Sequence, residues 1–271
     1  MAKRRYGFDE DKIQRYIKED RGQGEERTYK PWLDVHDFPS KGNVSRCKGL
    51  KTKRVHHFMS GNETRFFYLL EWIDKIIDIR EQFPLLDRDD AMKIADIKGI
   101  RYPVDIESRV PLILTTDFMI TICENGRRYD IARTIKPSAD LDKTRVLEKY
   151  EIEKCYWEKR GIDWGIVTER EIDEEMALNI EWVHSAYNLE DLDDVDKASL
   201  KRYIPILKNR LLSSEETVQI ILDGMDFEFN MKPGMFLYLF RHLIASKQLM
   251  LSNFQEKINI SKLTRDSILL P

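Results

Sequence analysis

Glu63, Asp117 and Lys136 are residue types able to cut a phosphodiester: two carboxylates can hold a divalent cation, and an amine can orient a water and offset charge on the phosphate. Hydrolysis requires neutralisation of the scissile phosphate, a deprotonated water in line with the leaving oxygen, and stabilisation of that oxygen. Magnesium, which takes one or two carboxylates and keeps several waters, can serve all three needs. In this reading Asp117 is the bridging ligand, Glu63 the second acid and the main-chain carbonyl of Ile135 a third oxygen, while Lys136 acts on the attacking water. Each residue also has a structural reading. Ser60 and Glu63 have the spacing of a helix capping box, and Asp117 with Lys136 has the makings of a cross-strand ion pair. The residues alone leave both readings open. His56 and His57 are adjacent on a strand and point to opposite faces, so they cannot chelate one ion together, which favours packing or a phosphate contact.

These side chains need elements to carry them. Arg54 to Met59 reads as a strand, followed by Ser60 and a helix through Phe66, Phe67, Leu70, Trp72 and Ile73 that carries Glu63 in its first turn. Ile76 to Pro84 reads as a strand ended by proline, and Asp89 to Lys98 as a short helix ended by Gly99. Leu112 to Ile122 is an apolar strand holding the single carboxylate of Asp117, which needs a cation or donor to offset its burial. In the next strand, alternation sends Asp130, Ala132, Thr134 and Lys136 to one face, expected polar, and Tyr129, Ile131 and Ile135 to the other, expected buried. Asp140 is placed to cap a helix from about 141 to 160, with Val146, Leu147, Tyr150 and Tyr156 or Trp157 inward. Asp163 to Thr168 closes this part as one more strand. The order predicts a small mixed sheet wrapped by helices, an α/β or α+β domain over residues 1–169.

The charge run Glu169 to Glu175 marks a boundary, and residues 170–271 read as largely helical. Helices are expected over Ser199 to Leu212, over Ser213 to Asp223 with a Ser213-x-x-Glu216 capping box, and over Pro233 to Gln248. A hairpin pairing Leu249 to Leu251 with Ile258 to Ile260 would complete a winged-helix-like domain suited to partner docking or DNA contact.

A chain of 271 residues can form two such domains. It has no long apolar run and no leader-like segment, which predicts a soluble cytoplasmic protein without a membrane partner. Cys47, Cys123 and Cys155 are too few and too scattered for a disulfide framework or zinc site. The net charge of −3 is unevenly spread, with +6 over residues 1–60, −12 over 61–200 and +3 over 201–271. If nucleic acid is the partner, contacts to its backbone are expected from the two ends, including Lys3, Arg4, Arg5, Arg46, Lys48, Lys51, Lys53 and Arg54; a solvated surface with ordinary charge clustering is the alternative reading.

Several strings together resemble the TnsA family, the endonuclease subunit of heteromeric cut-and-paste transposases. They are Arg21-Gly22-Gln23-Gly24 with Pro31-Trp32-Leu33, Arg54-Val55-His56-His57, Glu71-Trp72, Asp78 to Leu85, Thr116-Asp117-Phe118, Lys136-Pro137, Leu147-Glu148-Lys149 with Tyr156-Trp157, and Asn179-Ile180-Glu181-Trp182. The resemblance covers about residues 10 to 182. It implies a restriction-endonuclease-like catalytic domain with Glu63, Asp117 and Lys136 at the catalytic positions. It also implies magnesium, with manganese expected as a substitute that relieves looser binding, and a winged-helix-like second domain that meets an ATP-dependent regulator. The substrate would be double-stranded DNA at transposon ends, nicked at the 5′ ends while an integrase-like transposase cuts and joins the 3′ ends. One departure stands out: Thr134 occupies the place of a metal-site glutamine. Both are neutral oxygen ligands, but the hydroxyl is shorter, which implies retained activity with looser metal binding. A stand-alone nuclease and an adaptor whose core has decayed at Thr134 are the competing readings.

Overall fold

The computed structural model describes residues 7–37, 44–192 and 197–271, so Lys3, Arg4 and Arg5 lie outside the described residues. The chain divides into two compact units, Met1–Ile172 and Asp173–Pro271. Among the described residues no helix is long and apolar enough to cross a membrane.

The first unit begins with α1 (Glu10–Lys18), whose Ile13 and Tyr16 pack with Trp32 in a small satellite core. A two-stranded ribbon follows, β1 (Ser45–Lys48) against β2 (Val55–Phe58), then α2 (Gly61–Trp72). The central sheet is built from β3 (Ile76–Pro84), β4 (Thr115–Glu124), β5 (Arg127–Ile135) and β6 (Asp163–Val167), in that spatial order. β3, β4 and β5 are antiparallel neighbours, and β6 joins β5 in parallel, so the sheet is mixed. Asn125 and Gly126, both at positive φ, form the tight turn that makes β4 and β5 a hairpin. β6 returns in parallel because α4 (Thr144–Glu158) carries the chain back across the sheet.

Both faces of the sheet are covered. On one, α3 (Arg88–Ile97) and α4 bury Ala91, Ala95, Ile152 and Trp157 against Met119 and Ala132. On the other, Phe58 of β2 and Phe67 of α2 stack toward Phe118, with Phe58 and Phe118 centroids 5.6 Å apart. A buried polar network runs through this second face. Glu81 accepts from Arg54 Nη1 at 2.7 Å and is bridged by His56 Nδ1 at 2.8 Å, while His56 Nε2 lies 2.7 Å from the Thr52 hydroxyl. These partners hold Glu81 well below the usual carboxylate range despite its burial.

Several local expectations are corrected by this packing. The face of β5 carrying Ala132 and Thr134, expected polar, is buried because α4 lies over it; on the opposite face Ile135 is buried as expected, but Tyr129 is 44% exposed. Asp140 does not cap α4: a short 3-10 turn, Ser138–Asp140, intervenes, the helix starts at Thr144, and the Asp140 carboxylate binds Lys143. The inner face of α4 is set by Ile152, Glu153, Tyr156 and Trp157, and Leu147 is exposed. Arg54, expected on a phosphate, is buried against Glu81.

The second unit contains α5 (Glu174–His184), α6 (Lys197–Ser213), α7 (Val218–Glu228) and α8 (Met235–Ala245). α5 grows out of the charge run and is capped by Asp173, whose carboxylate accepts from Met176 N–H. Ser213 ends α6 rather than starting α7, and Thr217 is the cap of α7. The apolar face of α8, with Phe236, Leu239, Phe240 and Leu243, is fully buried. Asp226, on α7, accepts from the main-chain N–H groups of Gly234 (2.6 Å) and Phe236 (3.0 Å), so one helix caps the start of the next. β7 (Met250–Leu251) pairs with β8 (Ile268–Leu269), not with residues 258–260. Two-residue strands carry too little alternation to specify a partner, so tertiary packing decides.

The Glu81 network yields a test of the Arg54 assignment. Arg54→Ala should lower stability by roughly 3–5 kcal/mol, because it leaves a buried carboxylate without its guanidinium. Urea unfolding checks this; a variant as stable as the parent would return Arg54 to the surface contacts.

Candidate active site

The site forms where the β4–β5 ladder stops. The last main-chain pair is Phe118 with Arg133. One step further, Asp117 Oδ2 accepts from the main-chain N–H of Ile135 at 2.7 Å, so the carboxylate takes the place of the missing rung. Meanwhile β5 continues alongside β6, with Ile135 opposite Val167 and Lys136 N–H donating to the Val167 carbonyl at 3.0 Å. Asp117 Oδ1 accepts from the Gln82 amide at 3.2 Å, and Gln82 Oε1 in turn accepts from the Thr115 hydroxyl at 3.1 Å.

Gln82 sits at φ 49°, a left-handed conformation uncommon for a residue with a side chain. Glu81, before it, bonds to Arg54 and His56; Phe83, after it, stacks on Tyr29 and packs toward Trp157. The twist at Gln82 sends two side chains that alternation would place together into different layers. It leaves Gln82 itself at the Asp117 carboxylate.

Glu63 lies in the first turn of α2. Its Oε2 accepts from Met59 N–H at 2.9 Å and its Oε1 from the Ser60 hydroxyl at 2.8 Å, while Glu63 N–H donates back to Ser60 Oγ at 3.2 Å. The capping geometry is therefore present, and it fixes the acid next to Asp117 instead of excluding a role there. Glu63 is pushed up to about 7, by burial first and then by the charge of Asp117. Asp117 is also raised to about 7, by burial and by the nearby charge of Glu153, against the opposing Ile135 N–H, Gln82 and Lys136. Two acids made reluctant to ionise by burial and by neighbouring negative charge form a site whose charged state calls for a cation.

Lys136 does not pair with Asp117. Its Nζ lies 3.4 Å from Asp140 Oδ2, which sets aside the plain cross-strand ion pair, although its positive charge acts on Asp117. Thr134 is only 3% exposed, and its hydroxyl donates to Glu153 Oε1, which also accepts from Thr116 at 2.7 Å and Trp164 at 2.9 Å. Burial raises the Glu153 carboxyl. Ile135 meets Asp117 through its N–H, not its carbonyl.

Sequence reasoning missed two members of this group. Glu153 had a signal: an acid four residues before Trp157 on the inner face of an amphipathic helix must find buried donors. Gln82 had none, because its position depends on a backbone twist that residue type does not announce. Among the described residues no three His, Cys, Asp or Glu side chains converge as a metal cage. The buried Glu63 and the partly exposed Asp117 nevertheless offer hard oxygens that fit magnesium, which keeps much of its own water.

Comparison with known proteins bears on the family. Residues 74–169 match the family described as TnsA-like endonuclease N terminal, and residues 171–252 the one described as TnsA endonuclease C terminal. The chain is also similar to the Escherichia coli transposon Tn7 transposition protein TnsA, 37% identical over 246 residues that span 91% of this chain and 87% of that protein. The chain belongs to the TnsA endonuclease family. The match to the TnsA N-terminal family takes in Gln82, Asp117, Thr134, Ile135, Lys136 and Glu153; Glu63 precedes it.

The raised carboxyls make the stability of the metal-free chain depend on pH. Between their ordinary values of 4.5 and 3.8 and about 7, Glu63 and Asp117 hold protons when folded that the unfolded chain has released. Stability therefore falls as pH rises through that window. Melting in chelator should show a loss of about 1–3 kcal/mol from about pH 5 to 7.5, and Asp117→Asn should lessen it, leaving the part that burial gives to Glu63. An unchanged slope in the variant would remove Asp117 from the coupled pair.

Proposed function

We propose that this chain is a magnesium-dependent DNA endonuclease that nicks the 5′ ends of a transposable element within a transposase complex. What supports the reading is the Asp117 carboxylate, anchored at the end of the β4–β5 ladder between the charges of Glu63 and Lys136. Glu63 and Asp117 would hold the cation, with the Ile135 carbonyl as a neutral oxygen; the Thr134 hydroxyl is committed to Glu153, so it would act on the ion only through water. When bound, magnesium supplies neutralisation of the phosphate and acidification of a water. Asp117 is kept in place by Ile135 N–H and Gln82, so no rotamer search is needed when substrate arrives. Lys136, held by the weak and partly exposed pair with Asp140, swings to the water, orients it and offsets charge that develops on the phosphate.

The family likeness supports DNA as substrate and an integrase-like transposase, which cuts and joins the 3′ ends, as partner. The second unit is assigned to partner or DNA contact in a winged-helix-like role, including an ATP-dependent regulator. Arg46, Lys48 and Lys53 are exposed and remain suited to phosphate contact from the N-terminal part.

Asp117→Ala tests the reading in a reaction reconstituted with the partner transposase on DNA carrying both element ends. Cutting at the 5′ ends should fall by at least about 100-fold with 3′ cutting retained. Undiminished 5′ cutting would make the chain an adaptor. Thr134→Gln should lower the magnesium concentration needed for half-maximal cutting and reduce any advantage of manganese; identical metal titrations would remove residue 134 from the ion's surroundings.

A further inference from the structure

We propose that a cationic pocket beside the candidate active site, formed by Arg101, Arg109, Arg145 and Lys149, seats backbone phosphates of the duplex flanking the scissile bond. The proposal rests on reading the chain as a DNA endonuclease. The cavity holds about 280 Å³ and is lined by these four cations, Tyr102 and a few apolar residues, with no carboxylate. That volume is below the roughly 300–1,000 Å³ of cavities that enclose whole cofactors, and suits groups reached from the surface.

The charge inventory is what marks this pocket. Over residues 61–200 acids outnumber bases to a net of −12, and the guanidinium groups of this unit are mostly matched: Arg88 with Glu10, Arg133 with Asp163, Arg160 with Asp90. In the pocket only Arg145 has an acid, Glu148 at 2.7 Å. Arg101, Arg109 and Lys149 form no ion pair among the described residues. Arg145 and Lys149 stand one turn apart on α4, an arrangement of like charges that weakens a helix and that a bound anion would relieve.

Position and preparation also favour phosphate. Lys149 feels the charges of both Arg145 and Lys136, so the pocket is electrostatically continuous with the candidate catalytic lysine. The loop that supplies Arg101 and Arg109 is already braced. Tyr102 Oη donates to the Leu112 carbonyl at 2.9 Å, and Val104 bridges Pro111. Guanidinium forks match phosphate oxygens in pairs, and a lysine adds a point charge. A duplex presents such oxygens on either side of the bond being cut.

The test is anisotropy of a labelled generic duplex with the full chain in chelator, from about 50 to 200 mM salt, for the parent and for Arg101→Ala, Arg109→Ala, Lys149→Gln and Lys149→Arg. Each neutral variant should weaken binding several-fold and lower the slope of log affinity against log salt by about 0.9, while Lys149→Arg restores both. Melting temperatures should not move, since Arg101, Arg109 and Lys149 are exposed. Parental slopes and affinities in all variants, or no duplex binding by the parent, would overturn the proposal. So would displacement of the duplex by a nucleoside triphosphate in the parent alone, which would make this a nucleotide site. Cleavage with the partner transposase separates the two readings. If the pocket variants bind as the parent does while Asp117→Ala alone loses 5′ cutting, the pocket assignment fails and the endonuclease stands.

Discussion

A single hydrogen bond organises the candidate active site of this molecule: the main-chain N–H of Ile135 donating to Asp117. A sheet edge that simply ended there would leave a buried amide without a partner, a cost of about 1–3 kcal/mol. A sheet that continued would leave no room for a carboxylate. By standing in for a rung of the ladder, Asp117 satisfies the amide and receives a position fixed by peptide geometry. Lys136 follows on a strand whose direction is held by β6, and Glu63 approaches from the start of α2. Three segments distant in the chain thus meet at one strand end.

Behind that end lie two buried carboxylates handled in opposite ways. Glu81 is surrounded by Arg54 and His56 and held low, so it stays charged and braces the ribbon against the sheet. Glu153 is surrounded by hydroxyl and indole donors without a cation, and burial pushes it up. The first is structural compensation; the second, when ionised, sets a negative charge near Asp117 and raises its carboxyl. Gln82, in its left-handed turn, sits next to Glu81 in sequence and bonds to Asp117 in space, which ties the braced region to the candidate site. Backbone strain of this kind persists only where the surroundings over-determine it, and here both neighbours of Gln82 are locked in separate layers.

Much of this was legible in the chain. The strand over Ile76–Pro84, the helix carrying Glu63, the capping pair and the apolar strand around Asp117 follow from periodicity and cap chemistry, and each is present. What failed did so for a common reason. Alternation on β5 separates two faces but cannot say which will be covered; α4 decides that, and Thr134 is inside where a polar face was expected. The second hairpin strand was misplaced because β7 and β8 are too short to declare a register. Segment charge pointed to the chain ends for DNA contact, yet a pocket without acids arises in the most acidic stretch, because side chains from residues 101–109 and 145–149 meet only on folding.

The two proposed site residues Glu63 and Lys136 are tied to the scaffold to different degrees. The Glu63 carboxylate closes the start of α2 through Met59 and Ser60, so losing it disturbs the scaffold whatever its part in the chemistry. Lys136, half-exposed and leaning on Asp140, has almost no structural employment. On the proposed reading, a change at position 136 would remove chemistry at little structural expense, while a change at position 63 would also open the start of a helix.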